Sequence, residues 1–231
     1  MNKRLNALSA ISFIANWAAV IAIFVLIVLF SVLAPGFLSV GNFETILRSI
    51  SINTVLAMSL TVTLAVGGFD LAAGALASVS GYFVMSFALW YGMDLLPATL
   101  ITVVLTMLLQ CVTIFLIIKC KIPDLLATCA MMFVLQGVGL TYTGGGAISA
   151  GMRRPNGMES IGSIPGIMKT IGSSPTIIII MLVCVLAVHV FLSYTKYGRY
   201  IYAVGVNKTA AKLSGIPVKK YRFAAGMIAA F

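Results

Sequence analysis

Six long runs of apolar residues limit what this chain can fold into more than any other feature of its sequence. A helix needs about 20 mostly apolar residues to cross the hydrocarbon core of a bilayer. The runs occupy residues 11–34, 46–66, 71–91, 95–118, 124–143 and 176–194. We therefore expect an all-α, polytopic membrane helix bundle with about six transmembrane helices, forming one domain over residues 1–231. The short apolar stretch 223–231 is predicted to start a seventh helix, as in a shortened form or fragment of a longer protein.

The composition excludes several other classes of protein. The chain is 61% hydrophobic and 9% charged, whereas soluble domains carry about 25% charged residues. Too few charges remain to cover a water-facing surface, so a soluble enzyme, a disordered chain and a secreted disulfide scaffold are all disfavoured. None of the cysteines forms a CxxC pair, and we expect neither a metal site nor a cofactor.

The distribution of basic residues predicts the orientation. The net charge is +10, from 15 Lys and Arg against 5 Asp and Glu. Cytoplasmic loops of membrane proteins concentrate Lys and Arg, so we attribute this balance to topology and expect no nucleic acid as a partner. With a cytoplasmic N-terminus, the larger basic group faces inward: Lys3, Arg4, Lys119, Lys121, Lys196, Arg199, Lys208, Lys212, Lys219, Lys220 and Arg222.

The first candidate site is the polar break between the second and third runs. Gly67 and Gly68 interrupt the helical pattern, Asp70 places a carboxylate between apolar runs, and Gly74 follows. An acid in that setting needs a partner or water. Asp70 either caps the free amides at the start of the third helix or takes part directly in transport, and these roles are compatible.

The second candidate site is a short helix within the polar, basic segment 195–222. Asn207 is a favourable N-cap, and Gly215 followed by Pro217 is a favourable stop, which leaves about two helical turns between them. Such a short helix is marginal alone in water, so it must dock on something. One interpretation is an interfacial helix held by anionic membrane lipid through its lysines, and the other is a docking element for a soluble partner.

This second segment resembles the cytoplasmic loop of bacterial ABC-type sugar importer permeases, the group for ribose, xylose, galactose and autoinducer-2. The family pattern T-x-x-G-R-x-x-Y-A-x-G-x-N-x-x-A-A-x-L-S-G-I is matched by Thr195, Gly198, Arg199, Tyr202, Ala203, Gly205, Asn207, Ala210, Ala211, Leu213, Ser214, Gly215 and Ile216. Residues 67–74 resemble its G-G-I-D-L-S-x-G motif, with Ala72 in place of the serine. Asp124-Leu125 and Gln136 also depart from the family pattern, which leaves the solute open.

The resemblance implies an importer in the bacterial inner membrane with several subunits. It implies two permease chains, identical or different, two cytoplasmic ABC ATPase subunits and a periplasmic solute-binding protein. The ATPase-docking residues would be Gly198, Arg199, Asn207, Ala210, Ala211, Leu213, Ser214 and Gly215. The permease itself would perform no chemistry, and the sequence contains no GxxxxGK[ST] phosphate loop.

Two alternatives stay open at this point. An ATP-independent secondary transporter or channel would use Asp70 as an ion-linked group. An intramembrane aspartyl protease would pair Asp70 with Asp124, which falls on the same membrane side. A proteolytic dyad needs two acids that share a proton, whereas Asp124 follows Pro123 at a helix start, where an interaction with the helix dipole is the simpler explanation.

Overall fold

The structure is a computed structural model that describes residues 2–151, 153–154 and 157–231, with side chains described from Trp17 onward. The side chains of Lys3 and Arg4, which the orientation prediction uses, lie outside the described part. Within the described residues all regular structure is α-helical. The helices are α1 (Asn2–Leu33), α2 (Val40–Ala65), α3 (Ala73–Leu89), α4 (Leu95–Ile118), α5 (Asp124–Thr143), α6 (Gly166–Ile171), α7 (Thr176–Tyr194), α8 (Lys196–Val206), α9 (Lys208–Leu213) and α10 (Val218–Ala230).

The helix lengths fit a protein that crosses a membrane several times. By length and composition, α2, α4, α5 and α7 can each span a bilayer. The segment Trp17–Leu33 of α1, in which side chains are described, and the 17-residue α3 are also apolar but shorter. Large hydrophobic side chains on α4 and α7, such as Leu100 and Leu182, are exposed, as expected for helices surrounded by lipid tails. The predicted all-α, polytopic helix bundle is thereby confirmed.

The chain forms two compact units, and the first comprises residues 1–47. It contains α1 and the start of α2, joined by a turn in which Gly36 adopts a positive φ of 87°. The Asn42 side-chain amide donates to the Phe37 carbonyl at 2.7 Å, and the rings of Phe30 and Phe37 stack 5.7 Å apart. These contacts stabilise the turn between the two helices.

The second unit, residues 48–231, contains the helices that position both candidate sites. In it, α3 packs against α4 and α5, while α10 packs against α4 and α8. One buried cluster joins α3 to α5 through Leu76, Val79 and Leu135. A second cluster joins the ends of α2 and α7 to α8, α9 and α10, through the buried residues Val62, Val66, Leu192, Ile201, Val204, Ala211 and Ala225.

The structure adds two helices that the sequence interpretation left as irregular chain. The segment between α7 and the short capped helix is itself helical, as α8, and begins directly after Thr195, whose hydroxyl accepts from the Gly198 amide at 3.1 Å. The Gly/Pro-rich stretch before α7 contains α6, a helix of six residues. The sequence pattern does not indicate α8, because Gly198 and Gly205 within it lower the intrinsic helix propensity.

Candidate functional site: the helix break and the short capped helix

The helix break lies between α2 and α3 and is formed as the sequence predicts. Gly67 has a positive φ of 71°, a conformation that an L side chain rarely adopts. The Gly67 amide donates to the Leu64 carbonyl and the Gly68 amide to the Thr63 carbonyl, which ends α2 with both amides satisfied. Gly74 differs from this prediction, since it lies inside α3 with open space where its Cβ would be.

Asp70 is buried and fully engaged by two neighbours. One carboxylate oxygen accepts from the Ala72 amide at 2.8 Å, just before α3 begins, and the other accepts from the Gln110 side-chain amide of α4 at 2.8 Å. Asp70 is 7% exposed and Gln110 is 4% exposed. The bond from Ala72 holds the residue before the first turn of α3, whereas no side chain caps the amides of that turn. The acid also joins the break to α4.

The short helix α9 is capped at both ends as predicted. The Asn207 side-chain oxygen accepts from the amides of Thr209 and Ala210, each at 3.0 Å. Past the C-terminus, Gly215 adopts a φ of 79°, and the Ile216 amide returns to the Ala211 carbonyl at 3.0 Å. These bonds satisfy the free groups at both ends of a helix of only six residues.

One face of α9 is buried in the protein and the other is open. Ala211 is 4% exposed and belongs to the cluster that joins α2, α7, α8 and α10. Leu213 is 84% exposed, and Val206 at the end of α8 is 87% exposed. Lys208 and Lys212 are exposed beside them, as are the predicted docking residues Arg199, Ala210, Ser214 and Gly215. The open face therefore combines large apolar side chains with positive charge.

The helix α8 links α9 to the helix break through a contact between two glycines. A Cβ on Gly205 would lie 2.1 Å from the Ala65 carbonyl oxygen and 3.1 Å from the Gly67 nitrogen. At the other end of α8, a Cβ on Gly198 would lie 2.3 Å from the Leu192 carbonyl oxygen at the end of α7. The backbone of α8 can approach its neighbours this closely only because Gly198 and Gly205 carry no side chain.

An ion pair that sequence reasoning missed lies beside the helix break, because a Cβ on Gly68 would be 3.2 Å from Asp124 Oδ2. Arg222 of α10 donates to both carboxylate oxygens of Asp124 at the start of α5, with 2.6 Å to Oδ1. The two side chains are 17% and 22% exposed. The sequence predicts a helix-dipole role for Asp124 and only an inward orientation for Arg222, because no local pattern indicates a contact between residues 98 positions apart.

A pair of aromatic side chains joins α8 to α10. The rings of Tyr200 and Tyr221 meet edge to face, with centroids 5.4 Å apart. Desolvation raises the pKa of Tyr221, and the neighbouring Tyr200 adds to the effect.

The arrangement of acids does not fit a proteolytic dyad. Asp70 is engaged by an amide side chain and a backbone amide, whereas Asp124 is engaged by a guanidinium. Two acids that share a proton must contact each other, but here each has separate partners. Among the described residues, no group of histidine, cysteine or acidic side chains is placed to hold a metal ion.

Comparison with protein families decides the class of this chain. Residues 42–231 match the family described as the permease component of branched-chain amino acid transport systems. The chain belongs to this permease family. Its members are membrane subunits of transporters rather than enzymes, which excludes the intramembrane aspartyl protease.

Curated relatives of this permease-family chain support the sugar-importer resemblance. It is 33% identical over 204 residues to the ribose import permease protein RbsC of Escherichia coli K12, covering 88% of this chain and 62% of the relative. For RbsC of Bacillus subtilis 168 the identity is 31%, covering 87% and 61%. The fructose import permease protein FruG of Bifidobacterium longum is 25% identical, with 91% and 62% covered. This chain thus spans about three fifths of the length of these relatives. No solved structure matches the chain.

Proposed function

We propose that this chain is the membrane-spanning permease subunit of an ATP-driven ABC importer for a sugar or sugar-like solute. The observation that carries the proposal is α9, a helix capped at both ends with one face packed on the bundle and the other open. In the importer, that open face docks on a cytoplasmic ABC ATPase subunit. Family membership and the ribose and fructose permease relatives support the class of transporter and of solute.

The full assembly in this proposal has several partners. Two permease chains, identical or different, enclose the path in the bacterial inner membrane, and a periplasmic solute-binding protein delivers the solute. The N-terminus lies in the cytoplasm, which puts Lys119, Lys121 and the basic segment with α8 and α9 on the ATPase side. The contact between Gly67 and Gly205 supports this topology, because it brings the helix break and α8 to the same membrane face.

The exposed apolar residues of α9 favour a protein partner over a lipid surface. An interfacial helix buries its apolar face in lipid and points its lysines to water. Here the buried face of α9 is already packed against the protein through Ala211, and Leu213 lies on the open side among lysines. Apolar side chains surrounded by polar ones are typical of the centre of a protein interface.

The engagement of Asp70 disfavours the ATP-independent transporter. An ion-linked carboxylate must exchange its partners for a proton or a cation during each cycle. Both oxygens of Asp70 instead accept hydrogen bonds, one from the Ala72 amide just before α3 and one from the Gln110 side chain of α4. Uptake by membrane vesicles that lack any ATPase would nevertheless overturn the importer proposal.

A charge placed in the open face of α9 tests the docking assignment. We expect Leu213→Asp to lower recovery of the P-loop ATPase with the tagged permease at least about tenfold, since desolvating an unpaired carboxylate in an interface costs more than ~1.4 kcal/mol. The measurement is co-purification from mild detergent, with permease yield as the folding control. Ile161→Asp is the matched control, because Ile161 is 79% exposed in the loop before α6. Equal ATPase recovery from both variants would contradict the assignment.

A further inference from the structure

We propose that a groove between α4 and α10 is a binding site for an anionic phospholipid of the membrane. The groove has a volume of about 500 Å³, which lies within the range of small-molecule binding pockets. Its apolar walls come from both helices, and lysines surround one end of it. The inference goes beyond the proposed function and needs only that the chain spans a bilayer, so it does not depend on the solute or on the docking of α9.

The two helices that form the groove run in opposite directions and touch along its floor. The Cys111 sulfur lies 3.5 Å from the Met227 sulfur. Ile114 lies against Gly226, where a Cβ would be 2.7 Å from Ile114 Cδ1. The position on α10 thus falls as the position on α4 rises, so the end of α4 meets the start of α10 at one membrane boundary.

The walls of the groove are apolar. One face of α4 supplies four lining residues at the spacing i, i+3, i+4 and i+7, namely Cys111, Ile114, Phe115 and Ile118. Phe223 of α10 lies across the groove from them, and Phe115 and Phe223 are 56% and 45% exposed. Seven helical steps extend about 10 Å along the helix axis. The apolar face therefore reaches from the boundary into the hydrocarbon core, where an acyl chain lying along α4 would cover it.

Three lysines surround the end of the groove that lies at the membrane boundary. Lys119 follows the last residue of α4, and Lys219 and Lys220 lie in the first turn of α10. All three are exposed, and none of them forms an ion pair with an acid in the described part of the chain. Their positive charge is therefore available to a negatively charged group at the boundary, such as the phosphodiester of a lipid.

An apolar groove with lysines at one end matches the chemistry of an anionic phospholipid. The acyl chain of the lipid already lies in the hydrocarbon core and its phosphate at the boundary, so binding moves neither group out of its preferred medium. Basic pockets between transmembrane helices bind anionic lipid head groups in this way.

Two other occupants match the groove less well. An acidic protein segment would complement the lysines, but following the apolar walls would place its backbone polar groups in the hydrocarbon core. A second copy of this chain in a symmetric contact would cover the walls, but it would bring its own three lysines against Lys119, Lys219 and Lys220. The charge of the groove therefore favours the lipid.

Photo-cross-linking with two lipids tests the site directly. The full chain is placed in phosphatidylcholine vesicles that contain a small share of either phosphatidylglycerol or phosphatidylcholine with a diazirine on the acyl chain. Mass spectrometry of the peptides locates the adducts. We expect phosphatidylglycerol to give at least about tenfold more adduct in the groove, since each basic residue strengthens binding to an anionic lipid about fivefold. On the exposed face of α7, at Leu182 and Leu186, the two lipids should give equal yields.

Two triple variants with the same change in net charge assign this preference to the groove. The first variant removes the charges of the groove through Lys119→Gln, Lys219→Gln and Lys220→Gln. It should lower the preference for phosphatidylglycerol at least about tenfold, while unchanged labelling of α7 shows that the variant is folded and inserted. The control removes three exposed lysines outside the groove and should keep the preference: Lys169→Gln, Lys196→Gln and Lys212→Gln.

Thermal unfolding provides a readout that does not depend on cross-linking. A lipid that binds the folded chain raises its unfolding temperature. Phosphatidylglycerol added to delipidated protein in detergent should raise the unfolding temperature about 4 °C more than phosphatidylcholine does, which is the difference that a tenfold preference produces in a chain of this size. The control variant should show the same difference, and the groove variant should show none.

Three results would overturn the proposal. Equal labelling of the groove by the two lipids would show contact with bulk lipid only. Equal losses in the two triple variants would show a general attraction by the net charge of +10. An absence of groove adducts from both lipids would show that protein, such as a second copy of the chain, covers the groove. Recovery of the ATPase with the tagged permease is a separate measurement, so this proposal and the proposed function can fail independently.

Discussion

Replacing Gly205 with alanine lowers the unfolding temperature of the purified protein by about 10 °C, the shift that ~3 kcal/mol produces in a domain of this size. The added Cβ would lie 2.1 Å from the Ala65 carbonyl oxygen. The obstructing atom belongs to the backbone at the end of α2, so no side-chain rotation relieves the overlap. Overpacking costs typically ~1–3 kcal/mol, and an overlap with backbone belongs at the upper end.

The matched control for this prediction is Gly81→Ala. Gly81 lies inside α3 with open space where a Cβ would be, so alanine there should leave stability unchanged or raise it slightly. Thermal unfolding in detergent, followed by the loss of monodisperse protein on size-exclusion chromatography, measures both variants. Equal unfolding temperatures for the two variants would show that α8 does not contact the helix break closely, and the link from α9 to the break would be lost from the account.

The second large effect is expected at Asp70. Asp70→Ala leaves the Ala72 amide and the buried Gln110 amide without their acceptor. Each unsatisfied buried donor costs ~1–3 kcal/mol, so the free energy of unfolding should fall by about 4 kcal/mol. Asp70→Asn keeps one acceptor oxygen and should cost less. Denaturation of the purified variants in detergent measures both changes.

Asp94 provides the comparison for Asp70. It precedes α4, is exposed and makes no side-chain cap hydrogen bond, so Asp94→Ala should change stability by less than ~0.5 kcal/mol. A double-mutant cycle that combines Asp70→Ala with Gln110→Ala isolates the contact between the segment before α3 and α4. We expect the losses in free energy of unfolding from the two variants to be non-additive. Additive losses, or a loss at Asp94 equal to that at Asp70, would show that the carboxylate does not join the break to α4.

Features that depend on neighbouring residues could be predicted from the sequence. Apolar run lengths predict the long helices because a bilayer fixes the number of residues per crossing. The N-cap of α9 follows from the side chain of Asn207, which bonds an amide three residues later. The C-cap follows from the conformational freedom of Gly215, which is equally local. The bond from the Ala72 amide to Asp70, two residues earlier, is equally local.

Features that depend on contacts between distant parts of the chain could not be predicted in this way. Gly205 belongs to the motif in segment 195–216, but its contact with Gly67 arises only when α8 packs on the end of α2. Asp124 and Arg222 are both charged residues at the ends of apolar runs, and many such residues face water alone. Only packing of α10 against α4 and α8 brings Arg222 to the start of α5.

Photo-cross-linking at position 213 tests the central claim most directly. Leu213 is replaced in cells by the photoreactive residue p-benzoylphenylalanine, and Ile161 is replaced in a matched control, since both side chains are exposed by about four fifths. The account predicts that irradiation joins position 213, and not position 161, to a P-loop ATPase identified by mass spectrometry of the adduct. Adducts at position 213 with lipid only, or ATPase adducts at position 161 instead, would contradict the claim that α9 is the docking element of an ATP-driven importer.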